Sequence, residues 1–188
     1  AAAVGVCENL NLTDIILSTH RGHGHTISKG ASPEKMMLEI LGKAGGSCSG
    51  KGGSMHIADF SVGMLGANGV VGANINIAVG AAHAIKIKSL DRIVTCIFGD
   101  GAINRGPFLE GLNWAKIYNL PVLFICEDNC YSATTKTSEM TAGAGAIARA
   151  EAIGLEAKSI DGNDIMIIDE AAKDLIHKTR TQGPHFLH

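Results

Sequence analysis

The segment RIVTCIFGDGAINRGPFLEGLNWAKIYNLPVLFIC, residues 92–126, restricts the fold more than any other part of the chain. Its two short runs, residues 92–98 and 121–126, are apolar almost throughout and rich in β-branched and large side chains. Continuous rather than alternating apolarity marks a strand covered on both faces. Between them, residues 107–118 open with proline and have the length of one crossover helix. Strand, helix, strand in that order predicts two parallel neighbours in one sheet.

The rest of the chain repeats the alternation. Helices are expected over residues 33–43, 76–88 (Ala-rich and buried), 146–153 and 164–180 (long and amphipathic), and an outer strand over 155–160. The expected fold class is α/β, a parallel central sheet with helices on both faces. No linker or repeat divides the chain, so residues 1–188 are expected to form one domain of a longer gene product. A hydrophobic fraction of 46% supports a real core and excludes disorder. The net charge of -2 gives no reason to expect nucleic acid or an anionic membrane surface as partner. No apolar stretch reaches the roughly 18 to 20 residues of a membrane span. The five cysteines are odd in number and two, Cys96 and Cys126, fall in strand-like runs. Reduced thiols fit that better than a disulfide framework, and point to the cytoplasm, or to the mitochondrial matrix in a eukaryote. Many of the 24 glycines sit in residues 41–56 and 63–82, where interspersed Met55, Ile57, Met64, Leu65, Val70 and Val71 predict packed loops.

Three motifs nearly fit a known chemistry. GGSCSGKG, residues 45–52, imitates a P-loop, but Gly52 stands where the magnesium-binding hydroxyl belongs and a helix, not a strand, precedes it. GAGAIA, residues 143–148, matches a relaxed dinucleotide fingerprint without a buried strand before it. HRGHGH, residues 20–25, together with His56, lacks the short repeated spacing of a zinc site.

Gly99-Asp100-Gly101 is the informative motif. In open parallel sheets ligands bind outside the carboxyl ends of strands, and this one ends in a carboxylate. A carboxylate facing phosphate at a helix N-terminus requires a cation between them, and Mg2+ suits hard oxygen ligands of that kind. Asp100 supplies one ligand, while the flanking glycines let backbone N–H groups approach the phosphate. Asn129, 29 positions on at the next strand end, supplies a second, and the Tyr131 carbonyl completes the set.

GDGAINRGPFLEGLNWAKIYNLPVLFICEDNCY resembles the thiamine diphosphate motif, which runs from Gly-Asp-Gly to a terminal Asn. HRGHGHTISKG, GKGGSMHIAD and MLGANGVVGANINIAVGAAHAIK resemble the alpha subunit of the thiamine-dependent first component of 2-oxo acid dehydrogenase complexes. The resemblance extends from about Asp14 to the last residue. It implies a thiamine diphosphate-binding fold, with thiamine diphosphate and Mg2+ as cofactors. Asp100, Asn129 and the Tyr131 carbonyl match its metal ligands. Arg21 matches the arginine that grips the diphosphate, with His20 beside it; Gly101 and Ala102 match its backbone contacts. Gly69 and Val71 match the groups that hold the aminopyrimidine, and His23 matches an active-site histidine of catalytic position. The cofactor adds to a ketone carbonyl and then serves as electron sink.

His20 before Arg21 favours the acetoin branch over the pyruvate branch, where Tyr is common. The resemblance then implies acetoin cleavage, acetyl transfer to the lipoyl domain of a transacylase core, and a heterotetramer with a beta subunit. Pyruvate as the ketone substrate and a non-catalytic cofactor-binding subunit are the alternatives. The chain departs from the family at Asp128 and Cys130 (usually Asn and Gly), at Arg105 (usually Gln), at residues 74–76, where relatives carry proline, and at Ala133, where some carry a bulky residue. It also ends at His188, before the family's His-rich closing loop.

Overall fold

The structure is a computed structural model that describes residues 1–188. It is built from helices α1 (Ala2–Cys7), α2 (His23–Ser28), α3 (Pro33–Ile40), α4 (Ala73–Ile87), α5 (Gly106–Ile117), α6 (Thr137–Met140), α7 (Gly145–Ala152) and α8 (Ile165–Gln182). The strands are β1 (Ile15–Thr19), β2 (Met64–Asn68), β3 (Val94–Gly99), β4 (Val122–Glu127), β5 (Tyr131–Ser132), β6 (Thr135–Lys136), β7 (Glu156–Lys158) and β8 (His185–Leu187). Six strands form one parallel sheet in the order β2-β1-β3-β4-β8-β7, while β5 and β6 make a small antiparallel hairpin.

Strand periodicity divides the core in two. Val94, Cys96 and Phe98 of β3, with Val122, Phe124 and Cys126 of β4, face α4, α5 and α7. Ile97, Leu123 and Ile125 point the other way, against α1 and α8. Both faces of the central strands are therefore covered, which is why their sequences read as unbroken apolar runs. Under the carboxyl end of β3, Phe98, Phe108 and Phe186 meet at centroid distances of 5.9, 6.1 and 6.0 Å. Truncating one such ring costs about 3–5 kcal/mol.

The expected helices and strands all occur, with ends shifted by a few residues. The helix expected from residue 76 begins at Ala73, because the glycine turn before it closes earlier than its composition suggests. Residues 63–82 are not loop throughout, since they hold edge strand β2 and the start of α4. Strands β1 and β8 and helices α1 and α2 had no clear signal in the sequence. The five cysteines are free, and no helix is long and apolar enough to cross a membrane.

Candidate active site at the strand ends

The chain leaves the adjacent strands β1 and β3 on opposite faces of the sheet. After β1 it enters α2, which packs with α1, whereas after β3 it passes a 3-10 turn, Asp100–Asn104, into α5 beside α4. Divergence of neighbouring connections opens a crevice at the sheet's carboxyl edge. A cavity of about 900 Å³ occupies it.

Each wall comes from one strand end. Thr19 ends β1, with His20 and Arg21 after it; Asn68 ends β2, with Gly69 to Gly72 after it; Phe98 and Gly99 end β3, with Asp100 to Ala102 after them; Glu127 ends β4, with Asp128 and Asn129 after it; and Tyr131, Ser132 and Ala133 come from the hairpin. Met55 and Asn74 close the remaining gaps. The local devices are visible. Asn68 accepts from the Val70 N–H at 2.8 Å and turns Gly69 and Val70 inward. Asn129 accepts from the Tyr131 N–H at 2.9 Å. At Gly101 a Cβ would run into the Ser132 side chain, so only glycine lets the two backbones close there. Arg149 pins the turn, donating to the Ile103 carbonyl at 2.6 Å and to Asn104 at 2.9 Å.

Of the residues singled out from the sequence, His20, Arg21, Gly69, Val71, Asp100, Gly101, Ala102, Asn129 and Tyr131 all line this cavity. His23 does not. It opens α2, and its Nε2 lies 3.0 Å from Ser54 Oγ in the glycine-rich loop. Asp100 is 3% exposed, and its Oδ2 is buried without a hydrogen-bond partner. Burial, with the neighbouring Asp128 carboxyl, pushes the Asp100 carboxyl above its ordinary range. Partial burial pushes Asp128 the same way, but donation from the Cys130 N–H at 2.6 Å, the Asp100 carboxyl and His188 hold it below. His188 Nε2 stands 3.1 Å from Asp128 Oδ2, and its Nδ1 3.0 Å from Ser159 Oγ. The added charge of Asp128 thus has its own partner. Glu127 is moved up by burial, but its bond to His25 wins and holds its carboxyl low.

The unpartnered Asp100 Oδ2 thus shares its crevice with Arg21 and with the backbone of the turn after β3. The whole chain, residues 1–188, matches the family described as dehydrogenase E1 component. The chain belongs to that family. It is 49% identical over 183 residues to the alpha subunit of acetoin:2,6-dichlorophenolindophenol oxidoreductase of Bacillus subtilis (strain 168), covering 97% of this chain and 55% of the relative. The homologous subunit of Cupriavidus necator is also 49% identical, over the same shares. The mitochondrial pyruvate dehydrogenase E1 component alpha subunit (somatic form) of Bos taurus is 37% identical over 174 residues, or 92% of this chain and 43% of the relative. The chain spans about half the length of the curated relatives it matches.

The P-loop look-alike of this E1 chain has another job. Residues 45–53 wrap the Glu39 carboxylate, which accepts four backbone N–H bonds. Cys48 and Gly50 donate to Oε2 at 2.7 and 2.8 Å, Gly52 and Gly53 to Oε1 at 2.6 and 3.1 Å. The nest that a P-loop offers to phosphate is filled by the protein's own side chain. Nor does the GAGAIA segment follow a sheet strand; it leads from α6 into α7.

Thr19, Asn74 and Ser132 also line the cavity, though from the sequence Asn74 stands out only as a departure from the family and the other two not at all. His25, weighed from the sequence only for zinc, and His188 pair instead with Glu127 and Asp128, 102 and 60 residues away.

Proposed function

We propose that this E1 chain is the cofactor-binding part of the alpha subunit of an acetoin-cleaving dehydrogenase, and that residues 1–188 act as one thiamine diphosphate-binding domain. The observation that carries the reading is the buried, unpartnered Asp100 Oδ2 at the crevice where β1 and β3 diverge. The chemistry of the surrounding groups fits Mg2+ and a diphosphate. Asp100, Asn129 Oδ1 and the Tyr131 carbonyl are hard oxygen donors on two adjacent strand ends. Arg21 offers a planar fork for two phosphate oxygens, with His20 beside it, and the Gly101 and Ala102 amides approach from the turn. Gly69 and Val71, on the β2 side, serve the aminopyrimidine. When bound, thiamine diphosphate supplies a nucleophilic carbon and an electron sink. His23, tied to Ser54, orders the glycine-rich loop at the cavity's edge and meets the substrate from there.

Activating the cofactor requires a carboxylate against the aminopyrimidine. The acids lining the cavity are Asp100, Glu127 and Asp128, all at the β3 and β4 ends, whereas Gly69 follows β2, on the other side of β1. Glu110 accepts instead from Asn76 at 3.2 Å and does not line the cavity. The acid therefore comes from a second chain, a beta subunit, in a heterotetramer that hands its acetyl group to a lipoyl domain. Exposed Val70, Val71 and Ile77 beside the cavity are suited to that cover. Acetoin is preferred to pyruvate because the acetoin relatives are the more similar and because His20 lines the cavity. The cytoplasm, or the matrix of a mitochondrion, is the compartment.

Calorimetry tests the reading. Thiamine diphosphate is expected to bind only with Mg2+ present, and Asp100→Ala to abolish that binding in a folded protein. Near-normal affinity in the variant would sink the site assignment. Turnover of acetoin, but not of pyruvate, by the complex with its beta subunit settles the substrate. Turnover by this chain unaccompanied refutes the partner.

A further inference from the structure

Ser18, His25 and Glu127 form a hydrogen-bonded line across the sheet, on the side of α1 and α8. Ile16 belongs to the core on that side and Leu17 to the other, so Ser18 points the same way as Ile16. On β4, Leu123 and Ile125 face that side too, and so does Glu127. His25 Nδ1 lies 2.9 Å from Ser18 Oγ, and its Nε2 lies 3.1 Å from Glu127 Oε1. Ser18 is 0% and His25 5% exposed. An ionised Glu127 only accepts, so Nε2 donates to it, and Nδ1 in that tautomer accepts from the Ser18 hydroxyl.

The line joins strands that do not touch. In the sheet β3 separates β1 from β4. At this level β3 contributes Gly99, in register with Glu127 and with no side chain of its own. The bridge therefore spans the strand end that carries Asp100. Helix α2 is seated hard against β1, since a Cβ on Gly22 would come 2.5 Å from Ser18 Oγ. Thr26 Oγ1 donates to the Gly22 carbonyl at 2.8 Å. His20 and Arg21 immediately precede this clamp, and Asn129 lies two residues beyond Glu127.

We propose that His25 is a positioning residue that fixes the distance between Arg21 and the Asn129 turn, and so pre-forms the gap into which a metal-bound diphosphate fits. The proposal rests on the cofactor reading above. The segment HGHTIS is a poor helix former, with its glycine, threonine and two histidines, and has little to hold it in place without its tertiary bonds. A ring with both nitrogens engaged has one allowed placement, so it sets a span in a way that an apolar side chain of the same size does not. Groups that orient ligand-bearing residues commonly change affinity by about 10- to 100-fold when lost.

Three variants of the complete protein separate positioning from packing. His25→Gln keeps a donor where Nε2 stands and so keeps Glu127. His25→Asn keeps a partner for Ser18 only, and His25→Phe keeps volume only. Binding of thiamine diphosphate with Mg2+ and of thiamine, which lacks the diphosphate, is read by calorimetry, with thermal midpoints as the check on folding. The Gln variant is expected within about threefold of the parent for thiamine diphosphate, the Asn and Phe variants at least about tenfold weaker, and thiamine affinity little changed in all. Parent-like thiamine diphosphate binding by Asn or Phe overturns the proposal. So does a Gln variant as weak as Phe, or an equal loss for thiamine. If Phe fails to fold, the Gln and Asn pair still decides it. A parent that binds no thiamine diphosphate with Mg2+ overturns the cofactor reading itself, a result distinct from a binding parent with indifferent variants.

Discussion

Replacing Glu39 by glutamine tests whether residues 45–53 are shaped by one carboxylate. Both oxygens of Glu39 are used, each by two backbone N–H groups between 2.6 and 3.1 Å. Glutamine is nearly isosteric but keeps only one acceptor, and its NH2 faces two donors. Bonds to a charged acceptor contribute about 1.5–3 kcal/mol each, so losing two amounts to roughly 3–6 kcal/mol. The side chain is fully covered, and the loop of residues 45–53 supplies its hydrogen bonds. Relaxation of the loop around the new amide favours the low end, about 3 kcal/mol. Urea unfolding of Glu39→Gln against the parent measures it, and hydrogen exchange at the amides of residues 48, 50, 52 and 53 shows whether the loss is local.

The same pair gives a pH signature. Burial alone would raise the Glu39 carboxyl, but the four N–H donors prevail and hold it below its ordinary value. A carboxyl lowered on folding contributes fully above its unfolded pKa of about 4.3, and that contribution is lost as pH falls through the lower folded value. Parent and variant should therefore differ at neutral pH and converge in acid. A Gln variant within 0.5 kcal/mol (roughly the scatter of a surface change) at pH 7, with unchanged amide exchange, refutes the argument.

Arg21→Lys keeps the charge but loses the planar fork. Its thiamine diphosphate affinity should fall about tenfold, ~1.4 kcal/mol, by calorimetry, and a change within about twofold would make Arg21 a bystander. Cys130 holds φ at +66°, a left-handed conformation that a β-branched residue tolerates badly. Cys130→Val should lower the unfolding free energy by about 1 kcal/mol or more relative to Cys130→Gly, and equal melting of the two would contradict that strain. Of the free thiols, exposed Cys130 should react first with a disulfide reagent at pH 8. Cys7, buried and pushed up to about 12, should react only on unfolding, and early loss of Cys7 would contradict its burial.

The legible parts of the chain are those where one short window contains the whole cause. β3, α5 and β4 are contiguous, and burial on both faces writes itself into consecutive residues. The place of Asp100 at the strand mouth was legible for the same reason: the apolar run and the Gly-Asp-Gly that ends it are contiguous. β1 was hidden because Asp14, Ser18 and Thr19 dilute its apolar run, though Asp14 is fully buried and bonded to Arg180 at 2.7 Å. β2, Met-Leu-Gly-Ala-Asn, is an edge strand of small residues, and β8 has three residues behind a long helix. α2 forms against propensity because Ser18 and Glu127 hold it from outside. No short window includes both ends of the His25–Glu127 contact or of the His188–Asp128 contact. The sequence around Asp128 therefore holds no sign of the histidine that pairs with it.

The position of β8 between β4 and β7 bears on how the protein emerges from the ribosome. Every oxygen donor proposed for the cation lies before residue 132, yet β4 pairs on its outer edge with a strand that begins at His185. Until that strand is synthesised, β4 shows an open edge to other chains, and Asp128 stands without His188. The pairing of β4 with β8 thus has a long sequence separation, which slows its closure relative to local helices. The lining of the cleft is complete by Ala133, whereas the strand that covers the outer edge of β4 and brings His188 to Asp128 is made later.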